Sequence, residues 1–382
     1  MLIIKCLCLD ISDCFWLFYA SKYITSTMKL IYKHILFLLL LLCISCTSVS
    51  NNKIMFPTKN FKTIKGKQIL SDLFIGRPLK MNIVDNKLLM IDKYEGKQIT
   101  MIDLINTNKI ERIANIGEGP NEFLNLRDIT YNSKNNSLAF FDGMLRQVSF
   151  YKINEHKIQI NNNTFHRKVR FNADCPYDIV AFGDYFLANG CFNAKQFALL
   201  NSKADIIAEF GVFPGDNTGV EVENSFFLKN QTTLCTNLDQ SRFVAAGYFH
   251  DQLVFYRFEN NKIIKVREYF SMNAKMVSRH TKDGNQDIYS SSENDETTRT
   301  YRMLYSTKEH IYALYWGIAN KDFGKTGKVC YILKFDWNGN LKEGFKVNNL
   351  LKNIAIDEIS NCIYAVTYPE DERESILMKY EM

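Results

Sequence analysis

The chain predicts an all-β fold, a six-bladed β-propeller of antiparallel meanders, on three observations. Short apolar runs recur six times, as KLLMID at Lys87, SLAFFD at Ser137, YFLANG at Tyr185, FVAAGY at Phe243, IYALYW at Ile311 and CIYAVT at Cys362, with start-to-start spacings of 50, 48, 58, 68 and 51 residues. A period of roughly 40 to 50 residues belongs to propeller blades or solenoid repeats. Each run is followed by a turn-like stretch and a second alternating run: QITMIDL at Gln98, QVSFYKI at Gln147, QFALLN at Gln196, QLVFYRF at Gln252, VCYILKF at Val329 and SILMKY at Ser375. Aromatic residues make up 13% of the 382, a composition suited to the half-buried surface of strands.

Within each copy, alternation with period two marks strands with one buried face. The turns YEGK at Tyr94, DGML at Asp142, ENNK at Glu259 and WNGN at Trp337 supply the Gly or Asn that hairpins need at positive φ. A third strand follows in KIERIANIG at Lys109, DIIAEFG at Asp205 and KIIKVREYF at Lys262. Such meanders cover both faces only by packing around an axis. The last copy runs out at Met382 after its second strand, so residues 54–70 are expected to supply the missing outer strand. The ring then closes by pairing of the N- and C-terminal strands, which removes an exposed edge. The propeller is assigned to residues 54–382. The longest insertion, VSRHTKDGNQDIYSSSENDETTRT from Val277, reads as a polar surface excursion.

The amino terminus reads as an address. In MKLIYKHILFLLLLLCISC, residues 28–46, Lys29 and Lys33 precede an apolar run from Ile35 to Ile44, and small Ser45 precedes Cys46. These are the parts of a secretory signal, with an apolar run shorter than the roughly 20 residues of a bilayer span. Residues 28–45 are therefore the expected signal peptide, and residues 1–27, which carry Asp10 and Asp13, an upstream extension ahead of the true start at Met28. Cys43-Ile44-Ser45-Cys46 resembles a bacterial lipobox, with Cys43 where Leu is usual. The resemblance implies lipid on Cys46, a membrane partner and residues 46–53 as a tether.

The excess of 47 Lys+Arg over 41 Asp+Glu is spread without a basic run, which argues against a nucleic-acid partner or binding to a membrane surface through charge and reads as solubility. Five cysteines follow Cys46, at 175, 191, 235, 330 and 362, an odd number without CxxC spacing, so neither a disulfide framework nor a zinc site is expected. His156, His166, His250, His280 and His310 show no metal-binding spacing, and there is no GxSxG elbow. Asp283, Asn285 and Asp287 resemble the opening of a calcium loop, but Ile288 stands where Gly is required. Glu293, Asp295 and Glu296 are the residues for a looser calcium site, against the simpler reading of a solvated acidic loop. Arg279 and His280 are the first side chains to seek at an axial mouth. No metal and no cofactor is expected.

The most distinctive string is GEGPNEF, residues 117–123, with a weaker echo, GVFPGD, at Gly211. It lacks the third Gly and following helix of a dinucleotide site and reads as an interblade turn. With the lipobox-like signal and the sixfold pattern, Gly117, Gly119, Pro120, Glu122 and Phe123 resemble the TolB-like six-bladed propeller lipoproteins of Bacteroidetes. That resemblance implies an outer-membrane lipid anchor and a periplasmic body, and it carries no catalytic residues.

Two functions compete. One is a non-catalytic binding or scaffold module for a protein or glycan partner, resting on the missing catalytic motifs. The other is a polysaccharide or peptide hydrolase or lyase at the mouth of the central channel, which requires titratable side chains from several blades to meet there.

Overall fold

Six sheets, each built on a four-stranded antiparallel meander, follow one another along the chain from an inner to an outer strand, and one of them gains a fifth strand. They are seen in a computed structural model that describes residues 56–76, 78–171, 178–214, 229–284, 286–323, 329–367 and 375–382. Ile54–Met382 form one compact unit. The upstream extension, the signal, Cys46 and the tether lie outside the described residues.

Blade 1 holds strands Met81–Val84, Lys87–Tyr94, Lys97–Asp103 and Ile110–Asn115, and blade 2 holds Leu126–Asn132, Ser137–Asp142, Gln147–Lys152 and Phe165–Arg170. Blade 3 holds Asp178–Phe182, Tyr185–Phe192, Lys195–Leu200 and Ile206–Phe210, and blade 4 holds Thr232–Thr236, Arg242–Gly247, Asp251–Glu259 and Lys262–Met272. Blade 5 holds Thr298–Ser306, His310–Ala319, Cys330–Asp336 and Leu341–Val347; blade 6 holds Leu351–Asp357, Cys362–Thr367 and Ile376–Glu381, with Gly66–Ile69 as its outer strand. Each inner strand touches those of both neighbouring blades, which closes the ring.

The six recurring runs are the second strands and the alternating runs the third strands. The inner strands went unread, because they carry polar residues toward the axis and break the apolar pattern. The core is divided into clusters lodged between adjacent blades. Aromatic pairs such as Phe150–Phe186 and Phe182–Phe243, with centroids 6.0 and 5.6 Å apart, cross those seams. The turns behave as their residues dictate: Glu95 and Gly96, and likewise Asn260 and Asn261, all take positive φ between paired strands.

Ring closure is more elaborate than a single donated strand. Gly66–Ile69 pairs antiparallel with Ile376–Glu381 of blade 6, whereas Lys62–Ile64 adds a fifth, parallel strand to Leu341–Val347 of blade 5. Ahead of them Phe56 packs edge-on against Tyr269 of blade 4 and Phe335 of blade 5, at 5.1 and 5.4 Å. Phe61 lies over Gly344, where a Cβ would come within 2.3 Å of the ring, and Gly66 leaves the same kind of room for Tyr380. One short segment thus laces three blades together from outside.

The insertion after blade 4 is not a plain loop. Val277–Asp283 and Gln286–Ser292 form a two-stranded sheet of their own, outside the six blades. The calcium-like residues Asp283, Asn285 and Asp287 fall at its tight turn; Asn285 itself lies outside the described residues.

Candidate functional site

The 117–123 string folds into a clasp whose residue types follow from its backbone. Glu122 N–H donates to the Gly119 carbonyl at 3.2 Å across a turn with Pro120 and Asn121 at its centre, and Asn121 has φ +62. Proline at the second and Asn at the third position is the type II pattern. The Glu122 carboxylate folds back to accept Gly119 N–H at 2.9 Å. It fills the space beside both glycines, so that a Cβ on Gly117 would lie 2.1 Å from Glu122 Oε2 and one on Gly119 2.8 Å away. Phe123 then turns inward, fully buried between blades 1 and 2 against Phe140 and Tyr151.

This clasp roofs a pocket of about 330 Å³ on the outer half of blade 2. Gln147, Ser149 and Tyr151 alternate along one strand and form its floor, with Lys168, Arg170 and Phe165 from the neighbouring outer strand. Glu118, Pro120, Asn121 and Glu122 form the roof. The Tyr151 hydroxyl donates to Asn121 Oδ1 at 3.2 Å, and Asn121 Nδ2 donates to Asn162 Oδ1 at 2.7 Å, which fixes the roof to the floor. Burial pushes the Tyr151 phenol up to about 12, so it stays a neutral hydroxyl. Two cations and two carboxylates line the same space, leaving it without net charge. A second cleft, about 420 Å³, opens between blades 2 and 3 around Asn132, Lys152, His166, Arg167 and Asp184.

The axial channel is a different environment. A cavity of about 30 Å³ among the inner strands has room for a water or two. Lys80 of blade 1 reaches across to Asp128 of blade 2, Nζ to Oδ1 2.8 Å, and the Thr130 hydroxyl donates to the other Asp128 oxygen at 2.9 Å. Asp178 of blade 3 lies within electrostatic range; burial and the Asp128 charge raise its carboxyl above the usual range, against the opposing pull of Lys80 and Arg127. Cys235 of blade 4 lines the same cavity, its thiol also raised by burial. At the far end the 237–241 turn of blade 4 crosses to blade 2: Leu238 O accepts from Ser133 N–H and Oγ, and Asn132 Nδ2 donates to Gln240 Oε1.

Other sequence-flagged residues stay apart from both places. Arg279 and His280 ride on the extra hairpin, outside the six blades. Glu293 is engaged by Arg299 and Asn320, and Glu296 by Lys321, so two of the three acidic residues of the looser calcium site face cations. No group of metal-ligating side chains occurs among the described residues. Cys235, Cys330 and Cys362 are buried and form no disulfide among the described residues. Gly211, in the echo, sits in the corresponding linker with φ +78 against Phe197.

The polar residues that sequence reasoning missed are those of the inner strands. Lys80, Asp128 and Asp178 follow one another at 48 and 50 residues, the blade period itself, so aligning the copies in register would have grouped them.

Fold and site together define a six-bladed propeller with a side-chain-filled axis and a polar pocket on its rim. The chain belongs to the TolB-like 6-blade propeller-like family, whose profile matches residues 57–359. Among solved structures it is similar to a Bacteroides vulgatus member of the DUF4221 family, at 12% identity and TM-score 0.50, covering 84% of this chain and 98% of that one. It is also similar to a Bacteroides fragilis protein described as a candidate for export, at 14% identity and TM-score 0.49, covering 84% and 94%. No curated protein matches.

Proposed function

We propose that the chain is an exported, lipid-anchored binding module that takes a glycan in the pocket beneath the 117–123 clasp. One observation carries the reading: the rim pocket of about 330 Å³, within the roughly 300–1,000 Å³ typical of ligand sites, has its roof tied to its floor by the Tyr151–Asn121 and Asn121–Asn162 hydrogen bonds, whereas the cavity on the axis holds about 30 Å³. An amide and a hydroxyl on the floor, an aromatic wall and a balanced charge suit a neutral sugar face. Export and the anchor rest on the 28–46 signal with Cys46, and the Bacteroides fragilis relative described as a candidate for export supports them. The body is placed in the periplasm, held to the outer membrane.

The test is a calorimetric panel of envelope-type oligosaccharides against the parent chain and a Ser149→Leu/Lys168→Ala variant with unchanged melting. Binding weakened at least about tenfold in the variant supports the pocket; equal binding, or none by the parent, overturns it. The enzymatic reading keeps one point in its favour, the meeting of Lys80, Asp128 and Asp178 from three blades. It predicts that the parent cleaves a member of the same panel and that Asp128→Asn abolishes cleavage.

A further inference from the structure

The lacing segment carries charge of one sign only. Residues 46–70 contain five lysines, at 53, 59, 62, 65 and 67, and no Asp or Glu. Spread along the sequence they make no run, but the fold pins Lys62–Ile64 and Gly66–Ile69 along the outermost edges of blades 5 and 6. Lys62, Lys65 and Lys67 are all exposed there, and none has an acidic partner among the described residues. Farther along the rim Lys262 and Arg267 add positive charge on the outer strand of blade 4, where Glu268 is paired with Lys265; Asp72, Glu343 and Glu381 are exposed acids nearby.

We propose that this edge of blades 5 and 6 seats on an anionic lipid headgroup surface. Juxtamembrane lysines gain from such a surface roughly fivefold in partition each, on the order of a hundredfold for three. The chain outside the described residues ends at this edge: Phe56 is ten residues beyond Cys46, so a lipid there holds the edge within about 35 Å of the bilayer. That distance rests on the anchored reading above, whereas the charge of the edge does not. Blade 5 is diametrically opposite blade 2 in a ring of six, so a propeller seated this way stands on its rim with the clasp pocket at the far side, facing away from the lipid.

The experiment uses the body from residue 54 onward, whose ring closure is complete without the anchor, in co-sedimentation with phosphatidylcholine vesicles with and without phosphatidylglycerol. The expected result is binding only with phosphatidylglycerol, weakened by added salt. The triple Lys62→Gln/Lys65→Gln/Lys67→Gln variant should lose about a hundredfold, while Lys134→Gln/Lys195→Gln/Lys203→Gln, the same charge removed from exposed lysines of blades 2 and 3, binds as the parent. Absence of binding, equal loss in both triples, or capture by soluble heparin without capture by vesicles overturns the proposal, the last in favour of an acidic polysaccharide. Mass spectrometry of the mature amino terminus of the full chain and of Cys46→Ser tests the anchor separately, so either reading can fail alone.

Discussion

Lys80 and Asp128 show how one ion pair separates a structural role from a chemical one. The pair is nearly out of water, with Asp128 at 5% and Lys80 at 17% exposure, and removing one member leaves the other charge without compensation. Asp128→Ala should lower stability by about 3–5 kcal/mol in denaturant titration, whereas Lys80→Met/Asp128→Leu should recover most of it. If the double variant also keeps glycan binding, the axial charges hold three blades in place and do nothing else. The clasp makes a second residue-scale case. Gly117→Ala would push the Glu122 carboxylate off the exposed Gly119 N–H, at a cost of about 0.5–1.5 kcal/mol, visible as a fall in melting temperature together with weakened ligand binding. The glycine and glutamate spacing was legible in the sequence as a turn; that it roofs a pocket was not, because Lys168 and Arg170 join it from a strand about fifty residues farther on.

At the scale of elements, the side chains at the ends of the second and third strands explain patterns that the repeats showed without a reason. Asp142 Oδ2 accepts the N–H groups of Leu124 and Asn125 in the linker entering its own blade, and Asp92 accepts Gly76 N–H in the same way. Gln98 donates to Phe123 O at 2.6 Å in the linker leaving its blade and accepts Leu126 N–H at 3.2 Å at the start of the next; Gln196 likewise donates to Asn230 O in the linker leaving blade 3. Buried linker backbone needs such partners, which accounts for two of the four Gln that open alternating runs; Gln147 instead accepts from Arg170 and Gln252 donates to Glu268, each on the outer strand of its own blade. The lace is the element on which the ring depends. A chain beginning at residue 71 should lose the outer strand of blade 6 and the aromatic contacts of Phe56 and Phe61, and with them cooperative unfolding; one beginning at residue 54 should melt in a single transition by circular dichroism. Pairing of the two chain ends could be read from the truncated last copy. The division of the lace over two blades could not, since strand partners on the outer edge are chosen by packing of Phe56, Phe61 and Ile64.

For the molecule as a whole, two buried groups give the pH dependence opposite slopes. His250 is fully buried and held down to about 4 from its ordinary 6.5, so the unfolded chain takes up the proton first and stability falls as pH drops from 6.5 toward 4. Asp178 is raised from its ordinary 3.8, so the unfolded chain ionises first and stability falls as pH rises above 3.8. Relative to the parent, Asp178→Asn should make stability climb more steeply between these limits. His250→Leu should remove an acid-side loss of up to about 3 kcal/mol, both read from denaturant midpoints across pH.

By itself the sequence determined the number of blades, their second and third strands and the turn chemistry, because these follow from side-chain alternation and from the few residues that tolerate positive φ. The Gln and Asp positions were visible but unexplained. The tertiary structure alone decided which polar groups meet: Lys80 with Asp128 and Asp178 on the axis, the 117–123 clasp with Lys168 and Arg170 on the rim, and the scattered lysines of 62–67 along one edge. The reason is geometric. A propeller brings residues together by their place in the blade, so neighbours in space stand a whole blade apart in sequence.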